Sequence, residues 1–221
     1  LAVDVTHETL GVPAFYTIIP GAHFRERAEG GSVGMFCAKL VTEHNPAPLA
    51  VMALKEVESQ MPGQYYTQFY LGTAYLEMGE VDAALACLGR ALDLDPAPQD
   101  IPSIYSYMGF CLKELERYQE AIAVLESGLR LDPDRTDLHN LKGFCHFKLK
   151  EHEAAIESFK AVLRINPGSA IDHANIASNY RDMGNAEKAI FYYQMALSID
   201  PSIDFARESL EKLMAGQHAP R

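Results

Sequence analysis

The chain has 221 residues and a formal net charge of −11, because 30 acidic side chains outnumber 19 basic ones. An acidic surface of this kind repels phosphate backbones and anionic lipid head groups, so we expect neither nucleic acid nor a membrane as a partner. No uninterrupted apolar run reaches the roughly 18 residues that a bilayer span needs. No basic stretch followed by an apolar one marks a secretory signal.

The four cysteines, Cys37, Cys87, Cys111 and Cys145, include no pair at CxxC spacing, which disfavours a zinc or thioredoxin-like site. Cys111 and Cys145 each lie within a Gly-Phe-Cys phrase. A sequence repeat explains the recurrence of this phrase better than a disulfide does. We therefore expect structural thiols and a reducing, cytoplasmic location.

Residues 1–30 lack a helical period. The stretch 14–19 is aromatic and β-branched and lies between Gly-Val-Pro and Pro-Gly turn signals, which predicts a strand. Residues 2–5 are a candidate for a second strand. Since two strands alone are only marginally stable in water, we expect them to complete a sheet elsewhere or to lie against the first hairpin.

Three phrases of this segment, Asp4-Val5-Thr6, Leu10-Gly11-Val12-Pro13 and Ile18-Ile19-Pro20-Gly21, resemble in this order the closing segment of the YcaO domain. The next residues, Ala22-His23-Phe24, depart from the Leu-Glu that this family shows there. The resemblance implies that residues 1–30 end a preceding domain of an ATP-dependent enzyme that activates backbone amides. The carboxylate-rich nucleotide site of that family would lie upstream, so no catalytic residue and no ATP site is expected in this chain.

Prolines recur along the rest of the chain at a nearly constant interval, which is slightly longer only between Pro96 and Pro133. A proline lacks an amide donor and keeps the preceding residue out of helical geometry, so each of these positions ends one helix and separates it from the next. The spacing indicates a repeat of about 34 residues. The prolines are Pro62, Pro96, Pro133, Pro167 and Pro201.

Small and large residues recur in phase with these prolines. A small residue lies in the middle of each first helix, an alanine opens each second helix, and a large residue follows that alanine four positions later. Small residues let paired helices approach closely, and the large ones fill the space between neighbours. The three sets are Gly72, Gly109, Gly143 and Ala177; Ala84, Ala121, Ala155 and Ala189; and Leu88, Leu125, Phe159 and Tyr193. They resemble the tetratricopeptide repeat, over residues 65–203.

The pattern predicts an all-α fold, a right-handed tetratricopeptide superhelix (an α–α solenoid), with a short β-containing N-terminal segment. A degenerate hairpin is predicted over 31–64 and a capping helix with a polar outer face over 204–215. The helices of the four repeats are predicted at 65–78 with 81–94, 102–115 with 118–131, 136–149 with 152–165, and 170–183 with 186–199.

The sequence contains no phosphate-binding loop, no GxSxG and no HExxH. His139 and His173 lie one repeat length apart, so they would be neighbours at one repeat position. No cysteine or carboxylate pair completes a metal site around them, so packing explains them better. We therefore predict no catalytic residue, no metal and no cofactor, and no enzyme activity for this chain alone.

The first helix of each pair is expected to line the concave wall of such an array. Aromatic residues with a polar end suit an extended or helical peptide, and Asn140 and Asn175 could hold its backbone through paired donors and acceptors. Alternatively, Phe69, Phe110 and Phe144 pack between neighbouring helices. The predicted groove residues are Tyr66, Phe69, Tyr70, Thr73, Tyr107, Phe110, Lys113, Asn140, Phe144, Phe147, Asn175, Ser178 and Arg181.

The leading hypothesis is an interaction module that binds a peptide or partner protein. Some YcaO-type enzymes carry tetratricopeptide repeats after the YcaO domain, so the resemblance implies the C-terminal arm of such an enzyme. Phe69 and Thr73 stand where a clamp for chaperone tails would need cationic and amide side chains, which disfavours that partner. The alternative is a stand-alone assembly factor that self-associates as a homo-oligomer.

Overall fold

Alternating helices and short turns account for nearly all of the structure, a computed structural model that describes residues 2–4, 15–17 and 33–217. The chain divides into two compact units, Leu1–Cys111 and Leu112–Arg221. The division falls inside one helix, Ile101–Glu114. No helix in the described part of the chain is long and apolar enough to cross a membrane.

The first unit contains four helices and most of a fifth within its described residues. They are α1 Val33–His44, α2 Ala47–Gln60, α3 Tyr65–Glu77, α4 Val81–Asp93 and α5 Ile101–Glu114. Helix α3 packs against α1, α2 and α4. Helix α2 has proline in its first turn, where a missing amide hydrogen removes no helical hydrogen bond.

The second unit continues the alternation. Each helix from α7 to α11 packs against the one before it. The helices are α6 Tyr118–Leu131, α7 Thr136–Lys148, α8 His152–Ile165, α9 Ala170–Asp182, α10 Ala186–Ile199 and α11 Asp204–Gln217.

The eight predicted helices of the four repeats are confirmed, each to within one residue at either end. Helices α1 and α2 lie where the degenerate hairpin was predicted, and α11 lies where the capping helix was predicted. The repeat places these boundaries well because its prolines and turns recur at fixed positions. The division of the chain into a preceding domain, a degenerate hairpin, four repeats and a cap stays a prediction, as does the handedness of the array.

The predicted fold class was wrong at the N-terminus. The fold is an all-α array of eleven helices, and no residue from 33 to 217 is in a β-strand. Within the described residues, strands occur only in two three-residue stretches, Ala2–Asp4 and Phe15–Thr17, which pair antiparallel with each other. Such a short two-stranded pairing is only marginally stable, so it does not make a β-containing part of the fold. The other predicted strand residues lie outside the described residues.

Close contact between paired helices depends on the predicted small residues. A Cβ atom at Gly72 in α3 would lie 2.8 Å from Cγ of Leu88 and 3.3 Å from the carbonyl oxygen of Ala84, both in α4. In the second unit a Cβ at Gly143 in α7 would lie 2.8 Å from the ring of Phe159 in α8. The large residue predicted in each of these second helices therefore rests directly on the backbone of the first.

We expect Gly72→Ala to lower the free energy of unfolding by about 1–3 kcal/mol, because Leu88 and the α4 backbone must move. Gly89 lies in α4 of the same hairpin and has open space where its Cβ would be. Gly89→Ala should therefore stabilise the protein by up to about 1 kcal/mol through helix propensity. Urea denaturation, monitored by circular dichroism, measures the free energy of unfolding of both variants. Equal effects of the two substitutions would contradict the close contact between Gly72 and α4.

Each hairpin of the four repeats turns at a residue with positive φ: Gly79 (76°), Glu116 (56°), Lys150 (60°) and Gly184 (77°). The backbone nitrogen of each donates to the carbonyl three residues earlier, and the next nitrogen donates to the carbonyl five residues before it, at 2.8–3.0 Å. This is the Schellman ending, in which a left-handed residue closes a helix. Two of these four hairpins place a residue with a Cβ in that strained conformation.

Glu116→Gly should raise the free energy of unfolding by about 0.5–1 kcal/mol, because glycine adopts positive φ without a steric cost. Ala123→Gly, at an exposed position inside α6, is the matched control and should lower it by about 1 kcal/mol. Thermal unfolding of the two variants beside the parent protein gives the comparison. A loss of stability in Glu116→Gly would show that contacts of the Glu116 side chain contribute more to stability at this turn than the relief of backbone strain does.

Candidate functional site

The predicted groove residues of the first unit include both core and exposed side chains. Tyr66 is only 8% exposed and belongs to the hydrophobic core. Phe69 is partly buried between Tyr70 and Tyr107, with ring centroids 5.1 and 5.4 Å away in edge-to-face geometry. Tyr107 is exposed, as is Phe110. The structure therefore makes Tyr66 a packing residue and leaves an aromatic cluster centred on Phe69.

Other polar atoms of this group have roles inside the fold. Thr73 Oγ1 donates to the carbonyl oxygen of Tyr70 at 2.9 Å. Burial, with smaller contributions from Glu43 and Asp100, raises the pKa of the Tyr70 phenol to about 12. Tyr70 therefore stays protonated at neutral pH and provides no base or nucleophile.

The predicted residues of the second unit converge on one cavity. Five of them, Phe144 and Phe147 of α7 and Asn175, Ser178 and Arg181 of α9, line a space of about 250 Å³. Three further residues complete the lining: Phe159 of α8, Asn179 of α9 and Phe205 of α11. Of the other two predicted residues in this unit, Lys113 lies beside Phe144 and Asn140 is half-buried.

Four phenylalanine rings form the apolar wall of this cavity. Phe159 is buried, whereas Phe144 is 37% exposed and Phe205 is also open to solvent. Lys113 Nζ and Lys148 Nζ each lie 5.4 Å from the ring centroid of Phe144, in cation–π range. Two lysine ammonium groups therefore lie over this ring, and that of Lys113 is paired with Glu114 at 2.6 Å.

A hydrogen-bond network fixes the polar side of the cavity. Arg181 Nη1 donates to the hydroxyl oxygens of Tyr193 (3.3 Å) and Ser209 (3.2 Å), and its Nε donates to Asp182 Oδ1 (2.8 Å). The Ser178 hydroxyl lies 2.9 Å from the Tyr193 hydroxyl. The hydrogen bond with Asp182 is the main cause that raises the pKa of Arg181. The guanidinium is thus held in place and charged before any ligand arrives.

Asn179 was missed in the sequence, although a signal for it exists. It occupies the repeat position that Cys111 and Cys145 occupy in the two preceding repeats, and both cysteines are fully buried. Asn179 is itself only 1% exposed. Its Nδ2 donates to the carbonyl oxygen of Asn175 at 2.9 Å, and its Oδ1 lies 3.0 Å from Nδ1 of His152. A polar residue at an otherwise apolar core position marks the last repeat as different.

Asp172 is a second polar residue at such a position. The two preceding repeats place Ile104 and Leu138 there, and both are fully buried apolar side chains. Asp172 is 1% exposed. Ser169 Oγ donates to its Oδ2 at 2.5 Å, while its Oδ1 has no hydrogen-bond partner. Helix α9 therefore carries polar residues in its first and third turns, on the face that is apolar in those repeats.

The environment of Asp172 disfavours its charge. Burial is the main cause that raises the pKa of this carboxyl, and the hydroxyl of Ser169 and the side chains of Asn175 and Asn140 act in the opposite direction. Asn140 Oδ1 and His173 Nδ1 are also buried without a hydrogen-bond partner. A buried acceptor without a donor costs stability, so this helix is less stable than its apolar counterparts would be.

The two histidines at one repeat position have matching structural roles. His139 Nε2 lies 2.9 Å from the carbonyl oxygen of Pro133, and His173 Nε2 lies 3.3 Å from that of Pro167. Each ring thus bonds back to the proline that precedes its helix. Within the described ranges no three His, Cys, Asp or Glu side chains gather as metal ligands would.

The buried thiols are unsuited to nucleophilic chemistry. Burial raises the pKa of Cys145 to about 11 and raises that of Cys87, so both stay protonated at neutral pH. Positioned aromatic, amide and guanidinium groups around an open cavity are instead suited to holding a ligand.

Family models described as the tetratricopeptide repeat match residues 65–98, 112–170 and 173–203. Together with the repeated hairpins, these matches show a tetratricopeptide-repeat protein, which is a class of interaction module. None of the matched stretches includes residues 1–30, so the resemblance to the YcaO domain stays a prediction. Most of the phrases that carry it lie outside the described residues.

Several solved structures share this fold. YrrB, a TPR protein with an unusual peptide-binding site, has a TM-score of 0.71 at 20% identity, over 84% of this chain and 95% of that one. A crystal structure of MamA has a TM-score of 0.68 at 24% identity, over 74% and 93% of the two chains. A structure of MamA AMB-1 has a TM-score of 0.66 at 26% identity, over 76% and 95%. No curated protein matches the chain in sequence.

Asp172→Asn should raise the free energy of unfolding at pH 7 by about 1–2 kcal/mol, because it removes a buried charge with an unpaired oxygen. The folded-state pKa of Asp172 is raised, so the stability from its protonated form is present below the ordinary pKa of 3.8 and is lost as the pH rises through the raised value. The advantage of the variant should therefore shrink on acidification. Denaturant titrations between pH 3 and 7 measure it, with Asp134→Asn as the exposed control. If the stability difference between Asp172→Asn and the parent protein does not change with pH, the raised pKa of Asp172 is contradicted.

Proposed function

We propose that this chain binds a peptide segment of a partner protein and that the cavity of the second unit receives an apolar, preferably aromatic, side chain of that peptide. One observation carries the proposal. Predicted groove residues from α7 and α9 meet around a single open cavity, with Phe159 and Phe205 closing its wall. Burial of one aromatic side chain against such a wall is the usual anchor of a peptide interface.

The size of the cavity suits a single side chain. Sites that bury a whole drug-sized molecule hold about 300–1,000 Å³, whereas this one holds about 250 Å³. An anchor side chain fits such a space while the rest of the peptide stays on the surface.

The polar side of the cavity suits a peptide backbone. The amide of Asn175 lines the space and supplies both a donor and an acceptor, as a peptide unit requires. Arg181 is already held by Tyr193 and Ser209, so little side-chain entropy is lost when it meets a carbonyl oxygen of the ligand. YrrB, which shares the fold, is a TPR protein with a peptide-binding site, and this supports the same class of ligand here.

Two proposals concern the protein to which this module belongs. The proposal that this module is the C-terminal arm of an ATP-dependent YcaO-type enzyme rests on the order of three short phrases in residues 4–21. The alternative, an assembly factor that self-associates, would place a second copy of the chain in the role of the peptide. Sedimentation of the purified protein separates the two: a concentration-dependent homo-oligomer supports the alternative.

Phe144→Ala should weaken peptide binding by about ten- to a hundredfold, because it removes one of the rings against which the anchoring side chain of the peptide would pack. The probe is the tightest peptide from an array of random dodecapeptides, and fluorescence anisotropy measures its affinity. Because Phe144 is largely outside the core, the melting temperature should change little.

Phe191→Ala is the matched control, since Phe191 is an exposed ring on α10 that does not line the cavity. It should bind the peptide as the parent protein does. The absence of any binding peptide, or equal losses in the two variants, would overturn the proposed function.

A further inference from the structure

A second pocket adjoins the cavity and shares one wall with it. Phe147 lines both spaces. The second pocket holds about 480 Å³ at the turn between α7 and α8, and its other lining residues are Lys148, Lys150, His152 and Asp182. A peptide whose anchor fills the cavity would therefore reach this second pocket within a few residues.

In the part of the chain that the structure describes, the two lysines of this pocket form no ion pair with a carboxylate, unlike two other lysines of the unit. Lys142 lies 2.7 Å from Glu126 and Lys160 lies 2.9 Å from Glu157. Lys148 contacts the ring of Phe144, and within the described residues no carboxylate lies within ion-pair distance of Lys148 or Lys150. Two cations without an ion-pair partner among the described residues thus line one pocket of a chain whose net charge is −11.

The acidic residues near the pocket are already engaged. Asp182 Oδ1 accepts from Arg181 Nε at 2.8 Å. Glu151 Oε2 lies 2.6 Å from His146 Nδ1. Each carboxylate thus has a hydrogen-bond partner of its own, and neither forms an ion pair with Lys148 or Lys150.

His152 lines the pocket, and its ring is held by Asn179. Asn179 Nδ2 donates to the carbonyl oxygen of Asn175, which directs Asn179 Oδ1 toward His152 Nδ1 at 3.0 Å. An amide oxygen only accepts, so Nδ1 carries the hydrogen.

We propose that this second pocket binds an anionic side chain of the same peptide, a carboxylate or a phosphorylated hydroxyl. The inference rests on the proposed function, because it assumes a peptide in the neighbouring cavity. The recognised motif is then an apolar residue followed or preceded at short distance by an anionic one. Because the rest of the chain is acidic and repels such a peptide, the pocket fixes where the anion lies and so the direction in which the peptide binds.

An array of random dodecapeptides with amidated C-termini tests the motif. Matched arrays carry free C-termini or phosphoserine in place of glutamate, so that a side-chain carboxylate, a terminal carboxylate and a phosphate are distinguished. The parent protein is compared with Lys148→Ser/Lys150→Ser. The control is Lys160→Ser/Lys212→Ser, which removes the same charge from positions outside both spaces.

The inference predicts that peptides bound by the parent protein are enriched in an anionic residue near an apolar one. The Lys148→Ser/Lys150→Ser variant should bind them about tenfold more weakly and lose the anionic preference while keeping the apolar one. Binding peptides without any anionic preference, or an equal loss in the control, would overturn this inference and leave the proposed function standing. An array without binding peptides would overturn the proposed function itself.

Discussion

The close packing of a large side chain on a glycine of the paired helix is the constraint on which the second unit depends. Because Gly143 has no side chain, the ring of Phe159 lies directly on the backbone of α7. In that position the same ring is part of the cavity wall. Packing and site are thus parts of one arrangement: the contact that joins α7 to α8 also builds the surface that a ligand would meet.

The last repeat exchanges stability for polar groups. Its first helix places Asp172 and Asn179 at positions where the two preceding repeats have Ile104, Leu138 and buried cysteines. A buried polar side chain with an unpaired oxygen destabilises a fold. Asn179 in return orients His152 and stands in the cavity lining. Functional sites are where such departures from a consistent core are expected.

Most of the fold could be predicted because repetition tests every position several times. A proline or glycine at one position is ambiguous, but the same residue type recurring at a constant spacing fixes helix ends and turns together. The N-terminal segment, residues 1–30, occurs once, so the strand pattern of residues 14–19 had no second copy to test it. The fold class was wrong there, since the part of the segment that the structure describes contains only one pairing of two three-residue stretches.

The site could be predicted only in part, for reasons that concern particular side chains. Phe144 and Asn175 follow from the rule that first helices face inward. Tyr66 follows the same rule but lies in the core, because Gly34 of α1 leaves space that its ring fills. Phe205 belongs to the capping helix, which no repeat pattern covers, and its place in the cavity depends on how α11 packs on α10. Asn179 could have been found by comparing repeats position by position.

We propose above all that a peptide occupies the cavity lined by residues of α7, α8, α9 and α11. The most direct measurement is the change in backbone amide chemical shifts when isotope-labelled protein is titrated with the tightest peptide from a random array. We expect the largest changes at the residues that line the cavity, such as Phe144 and Phe205. Largest changes on α10 or among residues 33–111, or no change at saturating peptide, would contradict it.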